Sequence, residues 1–90
     1  SRGLGDVYKR QQLATMLYRY SKNYKGEDVS VKGSLKTFED GSAVSAYAWE
    51  ATAWAVGAGL LRGDDFGKLL PKNIATRAQL ATIITRFLAQ

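Results

Sequence analysis

The chemistry open to this chain is narrow, because its 90 residues include no histidine and no cysteine. Imidazole bases, Ser-His-Asp triads, thiol nucleophiles, zinc cages and disulfides are all excluded. Three adjacent acidic pairs remain, Glu27-Asp28, Glu39-Asp40 and Asp64-Asp65. Glycoside hydrolysis needs two carboxyls facing each other across a substrate cleft, and neighbours in separate loops do not establish one. Asp64 and Asp65 share a turn but bring too few oxygens for calcium. No catalytic residue, metal ligand or cofactor is therefore expected. Arg77 is more informative: it falls at the first position of a predicted helix, where the dipole disfavours a cation, so its place points to a ligand rather than to helix stability. Tyr47 and Trp54 share the apolar side of another predicted helix, with Trp49 about 140° from Trp54 at 100° per residue. Trp54 reads as core, Tyr47 as either core or a platform for a ring-shaped ligand, and Trp49 as exposed or as a contact for a neighbouring body.

Positioning these groups falls to three helices, and a self-comparison of the chain finds two of them. Lys9-Arg10-Gln11-Gln12-Leu13-Ala14-Thr15-Met16-Leu17-Tyr18-Arg19-Tyr20 aligns with Thr76-Arg77-Ala78-Gln79-Leu80-Ala81-Thr82-Ile83-Ile84-Thr85-Arg86-Phe87, placing Arg77 on Arg10 and Arg86 on Arg19. Leu13, Met16, Leu17, Tyr20 and Tyr24 make one apolar face at the helical period, and Leu80, Ile83, Ile84, Phe87 and Leu88 make the other. Helices are predicted near 9–23 and 76–89, packed together through these faces. Thr76 with Gln79 is a capping box. The first copy has Lys9 in place of the Thr, and loss of a cap worth about 1 kcal/mol predicts a frayed start. A third helix is predicted over 45–58, carrying an alanine-rich stripe with Tyr47 and Trp54. Gly59 suits its left-handed C′ position, returning Leu60 and Leu61 to the core. Residues 21–37 are the least determined, with a brief extended piece at 29–31.

Apolar residues make up 46% and charged residues 23%, with one proline and nine glycines, which is the usage of a folded globular domain. Residues 1–37 hold eight Lys/Arg against three Asp/Glu, and the remainder is balanced at five against five. All of the net +5 thus sits in the first part, where Lys22, Lys25, Lys32 and Lys36 punctuate a polar loop without the interleaved aromatics of single-strand binders. No nucleic-acid partner is expected. No apolar run approaches the roughly 20 residues of a membrane helix, and no membrane insertion is expected. Ser1 opens without an initiator Met or a signal pattern, so the chain reads as part of something longer.

The order Phe38-Glu39-Asp40, Val44-Ser45-Ala46-Tyr47-Ala48, Ala51, Trp54-Ala55-Val56, Gly59-Leu60-Leu61-Arg62-Gly63, Gly67-Lys68-Leu69-Leu70-Pro71 and Thr76-Arg77-Ala78-Gln79 resembles the S-layer homology domain. On that resemblance residues 38–90 are one complete repeat, 25–37 a linker loop, and 9–24 the closing helix of a preceding, truncated repeat. Residues 1–8 fit no part of the pattern and are expected to be a non-native or disordered leader. Two positions depart from the family: Tyr47 stands where Trp is usual, and Gln79 and Gln12 replace the usual Glu.

What the resemblance implies is an all-α, small helical bundle of S-layer homology repeats, non-catalytic, exported from a bacterium and held at its cell wall or S-layer. The implied ligand is secondary cell-wall polysaccharide, a pyruvylated glycan bound in grooves between repeats. The implied site residues are the closing-helix arginine, Arg77 and its copy Arg10, with Tyr47 offering a ring to a sugar and Asp40 and Gly63 belonging to the motif. A guanidinium beside the free amides of a helix start suits an anion. Asp40 would cap the segment that follows it. Other S-layer homology repeats are implied partners. The competing reading is a helical association module that only packs against neighbouring repeats or subunits; a sugar binder should gather Arg77 and an aromatic ring in one concave site.

Overall fold

The start of the last helix is written in four residues. Gln79 donates its amide to the Thr76 hydroxyl at 3.1 Å, and the Thr76 amide donates to Gln79 Oε1 at 2.9 Å, closing the expected capping box. The computed structural model describes residues 8–30, 32–64 and 66–89. Its helices are α1 (Arg10–Asn23), α2 (Trp49–Gly57) and α3 (Arg77–Leu88), with short 3-10 turns at Leu35–Thr37, Gly41–Ala43 and Ala46–Ala48. Among the described residues there is no strand, only an isolated bridge between Lys9 and Ile74. The chain is all-α. Val29 lies in irregular backbone, and Val31 is outside the described residues.

Each helix end has a specific cause. α2 stops in a Schellman motif: Gly59 takes φ 78° at C′, its amide donates to Val56 O at 3.1 Å, and the Leu60 amide donates to Ala55 O at 2.8 Å. Leu60 and Leu61 are thereby returned to the core. At its front, α2 is shorter than 45–58 predicts, because Ser45 is extended and the turn Ala46–Ala48 is 3-10. A tertiary contact sets this entry: the Ser45 amide donates to Gln11 Oε1 and Gln11 Nε2 donates to Ser45 Oγ, both at 2.9 Å.

The start of α1 differs from expectation for a related reason. Lys9 supplies no side-chain cap, yet the amides of Arg10 and Gln11 donate to Asn73 O at 3.1 Å and Pro71 O at 3.0 Å. The Ala75 amide donates to Tyr8 O at 3.1 Å. The Lys9 amide also donates to Gln12 Oε1 at 2.7 Å, so distant main-chain carbonyls and one local side chain share the capping, and the start is tied rather than frayed with Tyr8 belonging to the fold. The rest of the expected leader, residues 1–7, lies outside the described residues.

Trp54 is 4% exposed at the centre of a core that also contains Leu13, Ala14, Leu60, Leu69, Ile83 and Phe87. Tyr18 meets its ring edge-on at 5.7 Å. α1 packs chiefly on α2, and its Gln11, Ala14, Thr15 and Ser21 are buried. The two related helices run parallel, joined at the α1 start by the ties to residues 71–75 and near their ends by Tyr20 against Phe87 at 6.0 Å. Because α1 packs chiefly on α2, the expected packing of α1 on α3 reduces to such side-chain contacts. The predicted stripe accordingly splits: Leu13 is core, while Met16 and Tyr20 are 44% and 47% exposed.

Candidate functional site

Leu70 is held in the left-handed region at φ 53°, a conformation costing a residue with a Cβ roughly 1–2 kcal/mol. Two side chains from distant elements secure it. The Leu69 and Leu70 amides donate to Asp40 Oδ1 at 2.7 Å and Oδ2 at 2.9 Å, and Arg10 Nη1 donates to Leu70 O at 3.1 Å. Asp40 gives no side-chain cap to the 3-10 turn that follows it; the expected local cap is instead a clamp on residues 69 and 70. Burial works to raise the Asp40 carboxyl, but the amides of Leu69 and Leu70, with Lys68 nearby, hold it below its ordinary value.

The clamped segment forms one side of a groove of about 350 Å³ whose other side is α3. Arg10, Arg62, Gly63, Asp64, Lys68 and Arg86 line it above an apolar floor of Leu60, Leu61, Leu69 and Ile83. Among the described residues four cations thus line the groove with one carboxylate, and that carboxylate is engaged: Asp64 Oδ1 accepts from the Phe66 and Lys68 amides, each at 2.9 Å. Arg86 Nη1 donates to Leu60 O at 3.4 Å, so arginines reach carbonyls at both ends of the segment. None of the four cations makes an ion pair among the described residues. Burial lowers the pKa of Arg10, with Asp64 offsetting part of that shift, and the guanidinium stays charged. A partly desolvated cation whose nearby carboxylate already accepts two main-chain amides is a place where a further anion is favoured.

Of the residues singled out by sequence, Arg10 and Gly63 line this groove and Asp40 stands behind it. Gly63 passes so close to Phe38 that a Cβ would lie 2.7 Å from its ring. Arg77, exposed at the first position of α3, does not line the groove. Tyr47 is in a different cleft of about 320 Å³ between α1 and the start of α2, so Arg77 and Tyr47 do not converge. Trp54 is core and Trp49 is exposed. Sequence reasoning missed Arg62, Lys68 and Arg86; the identity of Arg86 with Arg19 across the repeat was the available signal.

Among the described residues no cluster of acidic side chains could hold a metal ion, and no helix is long and apolar enough to cross a membrane. A family model for the S-layer homology domain matches residues 37–81, from the turn before Asp40 into α3. No curated protein and no solved structure matches the chain.

Proposed function

The chain belongs to the S-layer homology family, and from that premise we propose that its groove binds the pyruvylated substituent of a secondary cell-wall polysaccharide and so holds an exported bacterial protein at the surface. S-layer homology domains are generally cell-wall anchoring modules, non-catalytic, and associated with the bacterial surface or S-layer. The observation that carries the finer reading is the Arg10 guanidinium, partly desolvated, aimed by Leu70 O and without an ion pair among the described residues, in a groove with three further cations. Arg77 repeats the position of Arg10 for a groove whose second wall another repeat supplies.

A second reading, association by packing against other repeats, is supported by the unequal surroundings of the two copies. Gln11, Ala14 and Ser21 are buried in α1, whereas their equivalents Ala78, Ala81 and Leu88 in α3 are exposed. Positions that are covered on α1 are therefore open on α3.

Retention on purified pyruvylated wall polysaccharide tests the groove. Arg10→Ala is expected to abolish retention with the helical circular-dichroism spectrum unchanged. Arg10→Lys should restore only part, since it keeps charge but loses the planar two-point geometry. Removing the ketal should reproduce the loss, and combining both changes should add little. Wild-type retention by Arg10→Ala would overturn the assignment and leave association as the better reading.

A further inference from the structure

We propose that the two turns beside Arg10 form a docking surface for an anionic lipid bilayer, with Phe66 and Ile74 entering the headgroup region and the surrounding cations meeting lipid phosphates. Phe66 is 79% exposed and Ile74 51% exposed. Each stands on backbone with little freedom. Around Phe66, Asp64 Oδ1 accepts from the Phe66 and Lys68 amides, the Asp64 amide donates to Lys68 O at 2.8 Å, and the Gly67 amide donates to Asp64 O at 3.0 Å. Gly67 takes φ 73°, and its carbonyl accepts from the Glu39 amide at 3.0 Å. Ile74 bridges to Lys9, between the bonds that join Asn73 O to the Arg10 amide and the Ala75 amide to Tyr8 O. The fold therefore fixes two apolar side chains in water rather than leaving them on loose loops.

A single exposed apolar residue calls for no explanation; the charge around these two selects the partner. Both turns adjoin Arg10, one lining the groove with it and the other bonding its amide. Across residues 9–10 and 62–74, Lys9, Arg10, Arg62, Lys68 and Lys72 stand against Asp64 and Asp65, and all of those cations except Arg10 are exposed. The partner that fits is negatively charged. Phe66 and Ile74 belong to separate turns interleaved with these charges, whereas a protein interface depletes charge at its core. A headgroup layer takes the opposite arrangement, because it receives separate apolar side chains between phosphates while lysine stems extend toward them. Among the described residues no helix is long and apolar enough to cross a membrane, so the contact is peripheral and needs the apolar and ionic contributions together. Arg10, Arg62 and Lys68 serve the groove as well, but the lipid surface goes beyond the glycan reading and is tested without glycan.

Sedimentation of the 90-residue chain with lipid vesicles tests the proposal. Vesicles of phosphatidylglycerol and phosphatidylcholine in roughly equal parts should bind the chain at least about tenfold more tightly than vesicles of phosphatidylcholine alone, since each Lys or Arg near the surface adds to the attraction. The double variant Phe66→Ser, Ile74→Ser keeps every cation and should lose about tenfold or more of that affinity through the lost apolar contact. Its retention on wall polysaccharide should equal the parent's, because neither residue lines the groove. Equal binding to the two kinds of vesicle would overturn the proposal and leave a protein as the partner of the two turns. Undiminished vesicle affinity in the double variant would also overturn it, leaving bare charge attraction. A parent chain that binds mixed vesicles but is not retained by polysaccharide would overturn the anchoring reading alone. Phe66→Trp gives a readout that does not depend on a loss: lipids brominated on their acyl chains should quench its emission beyond the quenching seen for Trp49 and Trp54 in the parent, and no excess quenching would overturn the docking.

Discussion

Asp40 uses both carboxylate oxygens on main-chain amides, and Asn in its place has only one oxygen with which to accept. Asp40→Asn should therefore destabilise the chain by about 1.5–3 kcal/mol, the worth of a hydrogen bond to a charged group, as read by urea unfolding. It should also weaken ligand retention, since the Leu70 carbonyl that aims Arg10 would lose its second support. The same carboxyl sets an acid response. Its folded pKa is depressed from 3.8, so the stability it contributes is fully present above that value and is lost as pH falls through the lowered folded value. Unfolding measured from pH 5 downward should show this slope in the parent and a shallower one in Asp40→Asn. Gly63→Ala would bring a Cβ to 2.7 Å from the Phe38 ring, so the half-buried ring or the Gly63 backbone must shift.

Helix ends divide into those whose partners are near in sequence and those whose partners are not. Thr76 reads Gln79 three residues away, and Gly59 closes a turn begun at Ala55, so both were legible from the chain alone. Gln11 was not, because Ser45 lies 34 residues away and only folding makes it a cap for the next helix. Nor was the groove, whose walls join Arg10 to residues 60–70 and to Arg86; the family resemblance implied Arg10, as the copy of Arg77, but not its companions. Met16 and Tyr20 were misread as core because the helical period marks an apolar face without saying which neighbour covers it. Gln11→Ala should cost about 1–3 kcal/mol by leaving the Ser45 amide without its partner, read as a lowered midpoint in thermal unfolding. Thr52 should behave oppositely. Its hydroxyl is buried in α2 without a hydrogen bond among the described residues, so Thr52→Val, of similar shape, is expected to be neutral or stabilising by up to about 1 kcal/mol. A loss above that would reveal an ordered partner for the hydroxyl.

At the scale of the molecule, neighbouring residues on α3 report two environments. Phe87 is 5% exposed and Leu88 is 75% exposed. Phe87→Ala should cost about 3–5 kcal/mol, whereas Leu88→Ser should stay within roughly 0.5 kcal/mol in the isolated chain. Adding another S-layer homology repeat after α3 should make Leu88→Ser costly, if the open face of α3 receives what α2 gives to α1; indifference in the longer chain would count against packing there. The ties between the α1 start and residues 71–75 also make a mechanical circuit. A tension entering at Tyr8 and leaving beyond Leu88 can pass through the Tyr8–Ala75 and Arg10–Asn73 hydrogen bonds directly into α3. The intervening residues, which carry α2 and the clamped groove segment, lie on a bypass that slackens under load. A surface anchor built this way is pulled without stretching most of the backbone around the groove proposed for its ligand, and it loses that shelter when those few main-chain bonds part.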